Sequence, residues 1–169
     1  FDLQLVQMGM TLCSADARLP NFLMEEAIRG DSIYEFTEYT DIRREVSYED
    51  SRFDLFLKKD GSQCFIETKS VTLVEDRIAL FPDAPTSRGT KHVNGLIRAK
   101  QEGYRSSVVF IVQREDADKF RVQEESDPDF YYTLREAIQC GVEVYAYCCR
   151  VSLNDIAILK RIPLVGMRG

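Results

Sequence analysis

The chain has 169 residues, of which 44% are hydrophobic and 30% are charged, and its formal net charge is −6. This length fits one domain with a core that needs no disulfide staples. The negative charge argues against a surface that holds nucleic acid by bulk electrostatics, so any such contact is expected to be local or to come from a part of the protein outside this sequence. The five cysteines show no paired metal spacing, and no apolar run approaches the length of a membrane span, which predicts a reducing, cytoplasmic protein with no membrane partner.

The first part of the chain predicts two short strands, a helix and a third strand. The alternating stretch FDLQLVQM predicts the first strand, and MTLCSA predicts the second after Gly9. The stretch LPNFLMEEAIRGD predicts a helix that begins near Pro20 and Asn21 and ends at Gly30. Residues 42–48 predict a further strand, which leads at once into a hairpin.

The hairpin is predicted from the stretch FDLFLKKDGSQCFIETKS. Asp60 and Gly61 form its two-residue turn, because a type I′ turn needs positive φ at both central residues. The register then pairs residues outward from the turn: Lys59 with Ser62, Phe56 with Phe65, Asp54 with Glu67, and Arg52 with Lys69. Since strand side chains alternate, the last four residues are expected on one charged face, opposite a core face formed by Phe53, Leu55, Leu57, Cys64 and Ile66.

A facing pair of carboxylates needs a compensating charge, because like charges directly opposite destabilise a sheet. One hypothesis is that Arg52 and Lys69 pair diagonally with Asp54 and Glu67 on a wetted face. The other is a hard divalent cation such as Mg²⁺, which takes oxygen ligands from one or two carboxylates and keeps several waters. The hairpin alone leaves both hypotheses open.

The second half of the chain alternates helices and strands. A loop marked by prolines leads into a helix from about Ser87 to Glu102, and residues 106–113 form an apolar run typical of a strand covered on both faces. The stretch DPDFYYTLREAIQCG predicts another helix, closed by Gly141, and VEVYAYCCRV predicts another strand. This alternation predicts an α/β fold with helices packed on a mixed sheet.

The start of the helix near Ser87 carries cations, although the positive end of a helix dipole normally favours acidic residues. Arg88, Lys91 and His92, together with free backbone N–H groups, describe an anion site suited to phosphate. The alternative is that Arg88 and Lys91 pair with Asp83 or another acid. His92 is the only histidine, so a site with two histidine ligands is excluded, and we interpret it as a packing or hydrogen-bonding residue rather than a general base.

Asp54 followed by Glu67-x-Lys69 resembles the PD-(D/E)xK nuclease signature, and the order helix, three strands, helix, strand resembles the core of that superfamily. Four longer stretches are more specific: NFLMEEAI, REVSYEDSRFDLFL, CFIETKSVTLVEDRIALFPDAPTSRGTKH and GVEVYAYCCRVS resemble the sugar fermentation stimulation protein (SfsA) family over almost the whole chain. The resemblance implies a restriction-endonuclease-like mixed sheet flanked by helices over residues 13–169. Residues 1–12 would be the C-terminal remnant of an N-terminal OB-fold domain associated with DNA binding.

The resemblance also implies a set of site residues. Those with a catalytic role would be Asp54, Glu67 and Lys69. A Mg²⁺ or Mn²⁺ ion would be held by Asp54, Glu67 and the backbone carbonyl of Thr68, with Glu26 and Glu45 as further candidates for the metal shell. Phosphate would be bound by Arg88, Lys91 and His92.

The function implied is divalent-metal-dependent hydrolysis of phosphodiester bonds in DNA. The DNA partner would be bound mainly through the N-terminal domain, and a homodimer would allow two strands to be cut. The alternative is a non-catalytic DNA-binding regulator of sugar (maltose) utilisation genes that uses the nuclease fold as a scaffold. A third hypothesis treats the charged cluster as a structural ion-pair network that serves protein contacts.

Overall fold

The structure is a computed structural model that describes residues 4–167. The strands are β1 (Leu5–Met8), β2 (Thr11–Ser14), β3 (Asp41–Tyr48), β4 (Ser51–Lys59), β5 (Ser62–Val71), β6 (Leu73–Glu75), β7 (Ile78–Phe81), β8 (Arg105–Val112), β9 (Lys119–Val122), β10 (Glu143–Val151) and β11 (Ile156–Ile162). The helices are α1 (Leu19–Arg29), α2 (Ser87–Gln101) and α3 (Pro128–Gln139), and a 3-10 turn covers Tyr34–Phe36. Each predicted helix is confirmed. The first residues of the first predicted strand, 1–3, lie outside the described part of the chain.

The six-stranded sheet has the order β11-β10-β8-β5-β4-β3. Strands β3, β4 and β5 are antiparallel neighbours, whereas β8 runs parallel to both β5 and β10. A smaller sheet, β6-β7-β9, lies beside it. The mixed sheet predicted from the alternation of helices and strands is therefore confirmed.

Helices cover both faces of the six-stranded sheet. On one face, α1 packs in a core cluster with side chains such as Leu55 and Val109. On the other, α2 and α3 pack in a second cluster with Phe53 and Phe110. Strand β8 contributes buried side chains to both clusters, which confirms the strand covered on both faces that its apolar sequence predicts.

The hairpin of β4 and β5 follows the predicted register only near its turn. Lys59 pairs with Ser62, and the ladder continues to Leu55 and Ile66, where it ends. Asp54 and Glu67 are therefore not partners in the ladder as predicted. The reason is that the carboxylate of Asp54 accepts the backbone N–H of Thr68, at 2.8 Å, in place of a main-chain acceptor. Strand β5 stays attached to β8 along this stretch, so β4 diverges from it alone.

The expectation of one core face and one charged face on the hairpin is wrong. Phe53 packs in the cluster beneath α2, whereas Leu55 packs in the cluster beneath α1. The alternation is interrupted between them, opposite Glu45, whose φ is +58°. Phe65 is also buried in the α2 cluster, on the face where charged residues alone were expected. Both faces of the hairpin thus contribute to the core, and Asp54, Glu67 and Lys69 lie where β4 and β5 separate.

Strands β1 and β2 form a separate two-stranded hairpin. Leu5 pairs with Ser14 at its open end, and the N–H of Ser14 donates to the carbonyl oxygen of Gln113 at 3.1 Å. This hairpin runs past residue 12, the boundary predicted for the end of an OB-fold domain, and the assignment of residues 1–12 to such a domain stays a prediction. All five cysteines are free thiols. Among residues 4–167, no helix combines the length and the apolarity needed to cross a membrane.

The close approach of α2 to β4 depends on Gly95. A Cβ at this position would lie 2.8 Å from Ser51 Oγ and 3.0 Å from Phe53 Cζ, both in the packed interior. We therefore expect Gly95→Ala to lower the free energy of unfolding by about 1 kcal/mol, because overpacking, which costs roughly 1–3 kcal/mol, outweighs the better helix propensity of alanine. Urea unfolding followed by circular dichroism measures the change, with Asn94→Ala in the same helix as the control. A Gly95→Ala protein at least as stable as Asn94→Ala would contradict this close packing.

Candidate functional site

A cleft of about 720 Å³ opens where β4 diverges from β5. It lies between the start of α1, the edge strand β3, its neighbour β4, the middle of β5 and the start of α2. Its lining is mostly charged or polar and consists of Ala17, Arg18, Asn21, Phe22, Arg44, Glu45, Asp54, Glu67, Thr68, Lys69 and Arg88. Asp54, Glu67, Thr68 and Lys69, which come from different strands, therefore meet in one cleft.

Asp54 is fixed by Thr68. Its Oδ2 atom accepts hydrogen bonds from both the backbone N–H and the hydroxyl of Thr68, each at 2.8 Å. Burial and the nearby negative charge of Glu67 raise the pKa of Asp54, and the two hydrogen bonds from Thr68 only partly offset this rise. The carboxylate is therefore held in place in a position where its negative charge is poorly compensated.

Glu67 has two carboxylate oxygens in different environments. Oε1 lies 2.7 Å from Lys69 Nζ and 2.5 Å from His92 Nδ1. Oε2 is buried and has no hydrogen-bond partner within residues 4–167. Burial favours the neutral form of Glu67, but the hydrogen bond with His92 and the positive charge of Lys69 outweigh it and lower its pKa. Glu67 is thus ionised, with one oxygen held and the other unpaired, which is uncommon for a buried carboxylate.

Lys69 pairs with Glu67 on its own strand, whereas the hypothesis of local charge compensation predicted a diagonal pair across the hairpin. Arg52 does not reach either central carboxylate and forms an ion pair with Glu45 instead. Glu45 lines the cleft and is half-exposed. Local pairing therefore compensates one oxygen of Glu67 and leaves the second oxygen and Asp54 without a cation.

Glu26 is not brought to this cleft. It lines a different cleft of about 510 Å³ on the other side of α1, together with Asn154 and Ile156. The physical reason is helix geometry, since Glu26 lies about 140° around the helix axis from Asn21, which lines the candidate cleft. Glu25 pairs with Arg44, at 3.0 Å from Nε to Oε2.

The three residues predicted to bind phosphate are distributed differently. Arg88 is exposed, lines the cleft and has no ion-pair partner in the described residues. Lys91 points away and lies 3.6 Å from Asp50, as the alternative of pairing with an acid predicted. His92 is buried against Glu67 and Phe53. One backbone N–H at the start of α2 already has a hydrogen-bond partner, because Thr86 Oγ1 accepts the N–H of Gly89 at 3.0 Å.

Several residues that line the cleft lie outside the hairpin motif and cannot be predicted from it. Arg18, Phe22 and Arg44 enter from α1 and β3, and the Arg44 guanidinium lies 4.6 Å from the centre of the Phe22 ring. Asn21 also enters from α1, and its buried Oδ1 atom has no hydrogen-bond partner within residues 4–167. The resemblance of NFLMEEAI points to this helix but not to these side chains.

The residues present fit a hard divalent cation. Two carboxylates and the buried, unpaired Oε2 of Glu67 supply oxygen donors and unbalanced negative charge. Within residues 4–167, no three His, Cys, Asp or Glu side chains gather into a metal cluster. An ion at this place would consequently complete its shell with backbone oxygen and water, which suits Mg²⁺ better than a metal held by side chains alone.

Comparisons with known proteins agree with this architecture. Residues 18–155 match the family described as "Sugar fermentation stimulation protein RE domain". The sugar fermentation stimulation protein homolog of Desulforamulus reducens is 49% identical over 153 residues, which cover 90% of this chain and 64% of that protein. The homolog of Caldanaerobacter subterraneus is 42% identical over 165 residues, which cover 98% of this chain and 72% of that protein. The chain thus spans about two thirds of the length of these relatives.

A solved structure is also similar. The structure of Pyrococcus furiosus SfsA in complex with Ca²⁺ has a TM-score of 0.89 and 28% identity, covering 95% of this chain and 70% of that chain. The likeness therefore extends over the mixed sheet and the helices on its two faces. On these matches, the chain belongs to the sugar fermentation stimulation protein family.

Proposed function

We propose that this chain is a metal-dependent nuclease domain with a restriction-endonuclease-like (PD-(D/E)xK) fold, which hydrolyses phosphodiester bonds in DNA. The observation that carries the proposal is the unpaired Oε2 of Glu67, buried in a cleft that it shares with Asp54 and Lys69. An uncompensated buried oxygen costs about 1–3 kcal/mol or more. A cation bound in the cleft would give this atom its missing partner.

The metal would be Mg²⁺ or Mn²⁺, held by Asp54, Glu67 and the backbone carbonyl of Thr68. The Ca²⁺ complex of the Pyrococcus furiosus relative supports a divalent ion. When bound, such an ion lowers the pKa of a coordinated water and polarises a phosphoryl oxygen. Glu45, which lines the cleft, is the remaining candidate for orienting a water, whereas Glu26 lines the other cleft.

The protein groups have separate roles in this proposal. Thr68 orients Asp54, and His92 orients Glu67 from the side opposite its unpaired oxygen. Lys69 would stabilise negative charge that develops on the phosphate, because its ammonium is already held at the cleft wall. Arg88 would bind a flanking phosphate, since its side chain is exposed and lines the same cleft, whereas the Arg18 guanidinium is paired with Asp16.

The test is Mn²⁺-dependent cleavage of labelled DNA oligonucleotides, both single-stranded and duplex. Lys69→Ala is expected to reduce cleavage by at least about 100-fold, the typical effect of removing one group that stabilises the transition state. Metal binding should be retained, because Lys69 is not a ligand. Lys58→Ala, an exposed lysine on β4, is the matched control. Cleavage by Lys69→Ala at the rate of the unchanged protein would remove Lys69 from the mechanism.

A second candidate is a non-catalytic DNA-binding regulator of sugar (maltose) utilisation genes that keeps the fold as a scaffold. The pairing of Glu67 Oε1 with both Lys69 and His92 favours it, because these groups compensate part of the charge without a metal. In a longer protein, an OB-fold domain would supply most of the DNA contacts, and a homodimer would pair two sites. Turnover separates the candidates: a regulator binds the same DNA with or without metal and converts none of it.

A further inference from the structure

An aromatic side chain stands at the rim of the cleft that holds Asp54 and Glu67. Phe22 lies on the exposed side of α1 and keeps 39% of its surface accessible. Single exposed aromatic residues are normal on protein surfaces. Phe22 differs from a scattered surface residue such as Tyr34 in two ways. It lines the cleft, and a planar guanidinium group lies over its ring.

That cation is Arg44, which is held in one orientation. Its Nε lies 3.0 Å from Glu25 Oε2 in an ion pair, and its guanidinium lies 4.6 Å from the centre of the Phe22 ring. The distance is within the range of a cation–π contact. Since 44% of the Arg44 side chain is exposed, the pair presents a planar, positively charged surface to the cleft.

Planar aromatic and guanidinium groups are what proteins use to stack unpaired nucleobases, with little dependence on sequence. A phosphate beside such a base would find a cation nearby, because Arg88 lines the same cleft and has no ion-pair partner among residues 4–167. The cleft volume of about 720 Å³ is within the range of pockets that enclose one drug-sized ligand, which is room for one or two nucleotides.

The net charge of the chain also favours an unpaired strand over a duplex. A net charge of −6 argues against an extended basic surface that would hold a duplex through many phosphates. Stacking supplies affinity that does not depend on a large number of phosphate contacts. A base can reach the Arg44 and Phe22 pair only if it is unpaired and turned out of its own stack.

We propose that Arg44 and Phe22 form a stacking platform for an unpaired nucleobase beside the phosphate bound in the cleft, so that the substrate is a single-stranded or locally unpaired nucleic acid. This inference rests on the proposed function, because it assigns the strand that the cleft would act on. The binding contribution of the platform is nevertheless separate from metal binding and from turnover.

The test is a binding measurement in EDTA, where no cleavage occurs. Fluorescence anisotropy compares three DNAs: a labelled single strand, the same strand with tetrahydrofuran residues in place of its bases, and the matching duplex. The unchanged protein is expected to bind the base-containing single strand roughly 5- to 100-fold more tightly than the abasic strand, the range typical of one stacked base. It should also bind the duplex more weakly than the single strand.

Two variants test the platform from different sides. Phe22→Ala removes the ring, and Arg44→Lys keeps the charge but removes the planar group; both should bind the two single strands equally. Tyr34→Ala, which removes an aromatic side chain that is 88% exposed elsewhere, should bind like the unchanged protein. The platform is overturned if Phe22→Ala and Arg44→Lys keep the preference for the base-containing strand, or if the unchanged protein has none.

Hydrolysis with Mn²⁺ in parallel separates this inference from the proposed function. Cleavage by the unchanged protein without any dependence of binding on Phe22 overturns the platform and supports the nuclease. A single-strand preference that depends on Phe22, in a protein that cleaves no DNA, supports the platform and overturns the nuclease.

Discussion

Asp54→Asn is expected to abolish specific binding of Mn²⁺, which isothermal titration calorimetry should detect in the unchanged protein as about one ion per chain. The asparagine has the same size, and its amide oxygen can still accept the two hydrogen bonds from Thr68. Only the negative charge is lost. Because mutation of residues in the outer shell of a metal already weakens binding roughly 10- to 100-fold, loss of a ligand charge should weaken it by more than about 100-fold.

The matched control is Asp50→Asn. Asp50 is exposed, pairs with Arg98 and does not line the cleft, so its replacement should leave Mn²⁺ affinity unchanged. Equal binding by the Asp54→Asn and unchanged proteins would show that the ion, if bound, is elsewhere. Absence of binding in the unchanged protein would mean that Lys69 and His92 already compensate Glu67 and that the scaffold hypothesis should lead.

Phe110→Ala is expected to lower the free energy of unfolding by about 3–5 kcal/mol. Phe110 is fully buried on β8, and its ring contacts Phe81, Phe120 and Phe130, with centroids 5.2, 4.4 and 6.4 Å away. Truncation would leave a cavity between the six-stranded sheet, the small sheet and α3. For a chain of this size, the melting temperature should fall by roughly 6–20 °C.

Urea unfolding and thermal melting measure this loss. Tyr34→Ala is the control, because the exposed tyrosine should change stability by no more than about 0.5 kcal/mol. A loss below about 1.5 kcal/mol for Phe110→Ala would mean that the neighbouring rings collapse into the space, and that the aromatic cluster is not the rigid centre of this face.

The parts of the fold that follow from sequence are those with strong local signals. The turn at Asp60 and Gly61 predicts the register next to it, and helix boundaries follow from Pro20, Gly30 and Gly141. The short strands β6, β7, β9 and β11 have no comparable signal and were not predicted. Their pairing depends on partners that are distant in sequence, which local patterns do not contain.

The sequence predicts that Asp54, Glu67 and Lys69 lie together, but it does not predict how they are arranged. Asp54, Glu67 and Lys69 do meet, yet the pairing of Asp54 with Glu67 fails, because a side chain takes the place of a main-chain acceptor. Glu45 adopts a positive φ without being glycine or asparagine, so the sequence carries no warning of the interruption. Glu26 was assigned to the site from the resemblance of its helix to the family, and that resemblance does not specify which face of the helix meets the cleft.

The hydrogen bond from Thr68 to Asp54 makes one backbone amide of β5 sensitive to a side chain in the cleft. In an ordinary ladder, an amide proton exchanges with solvent when neighbouring strands open. Here the partner of the Thr68 amide is a carboxylate, so its exchange rate and its NMR frequency follow the chemical state of one side chain. The backbone of β5 therefore contains a spectroscopic reporter of events in the cleft, which needs no label and no substrate.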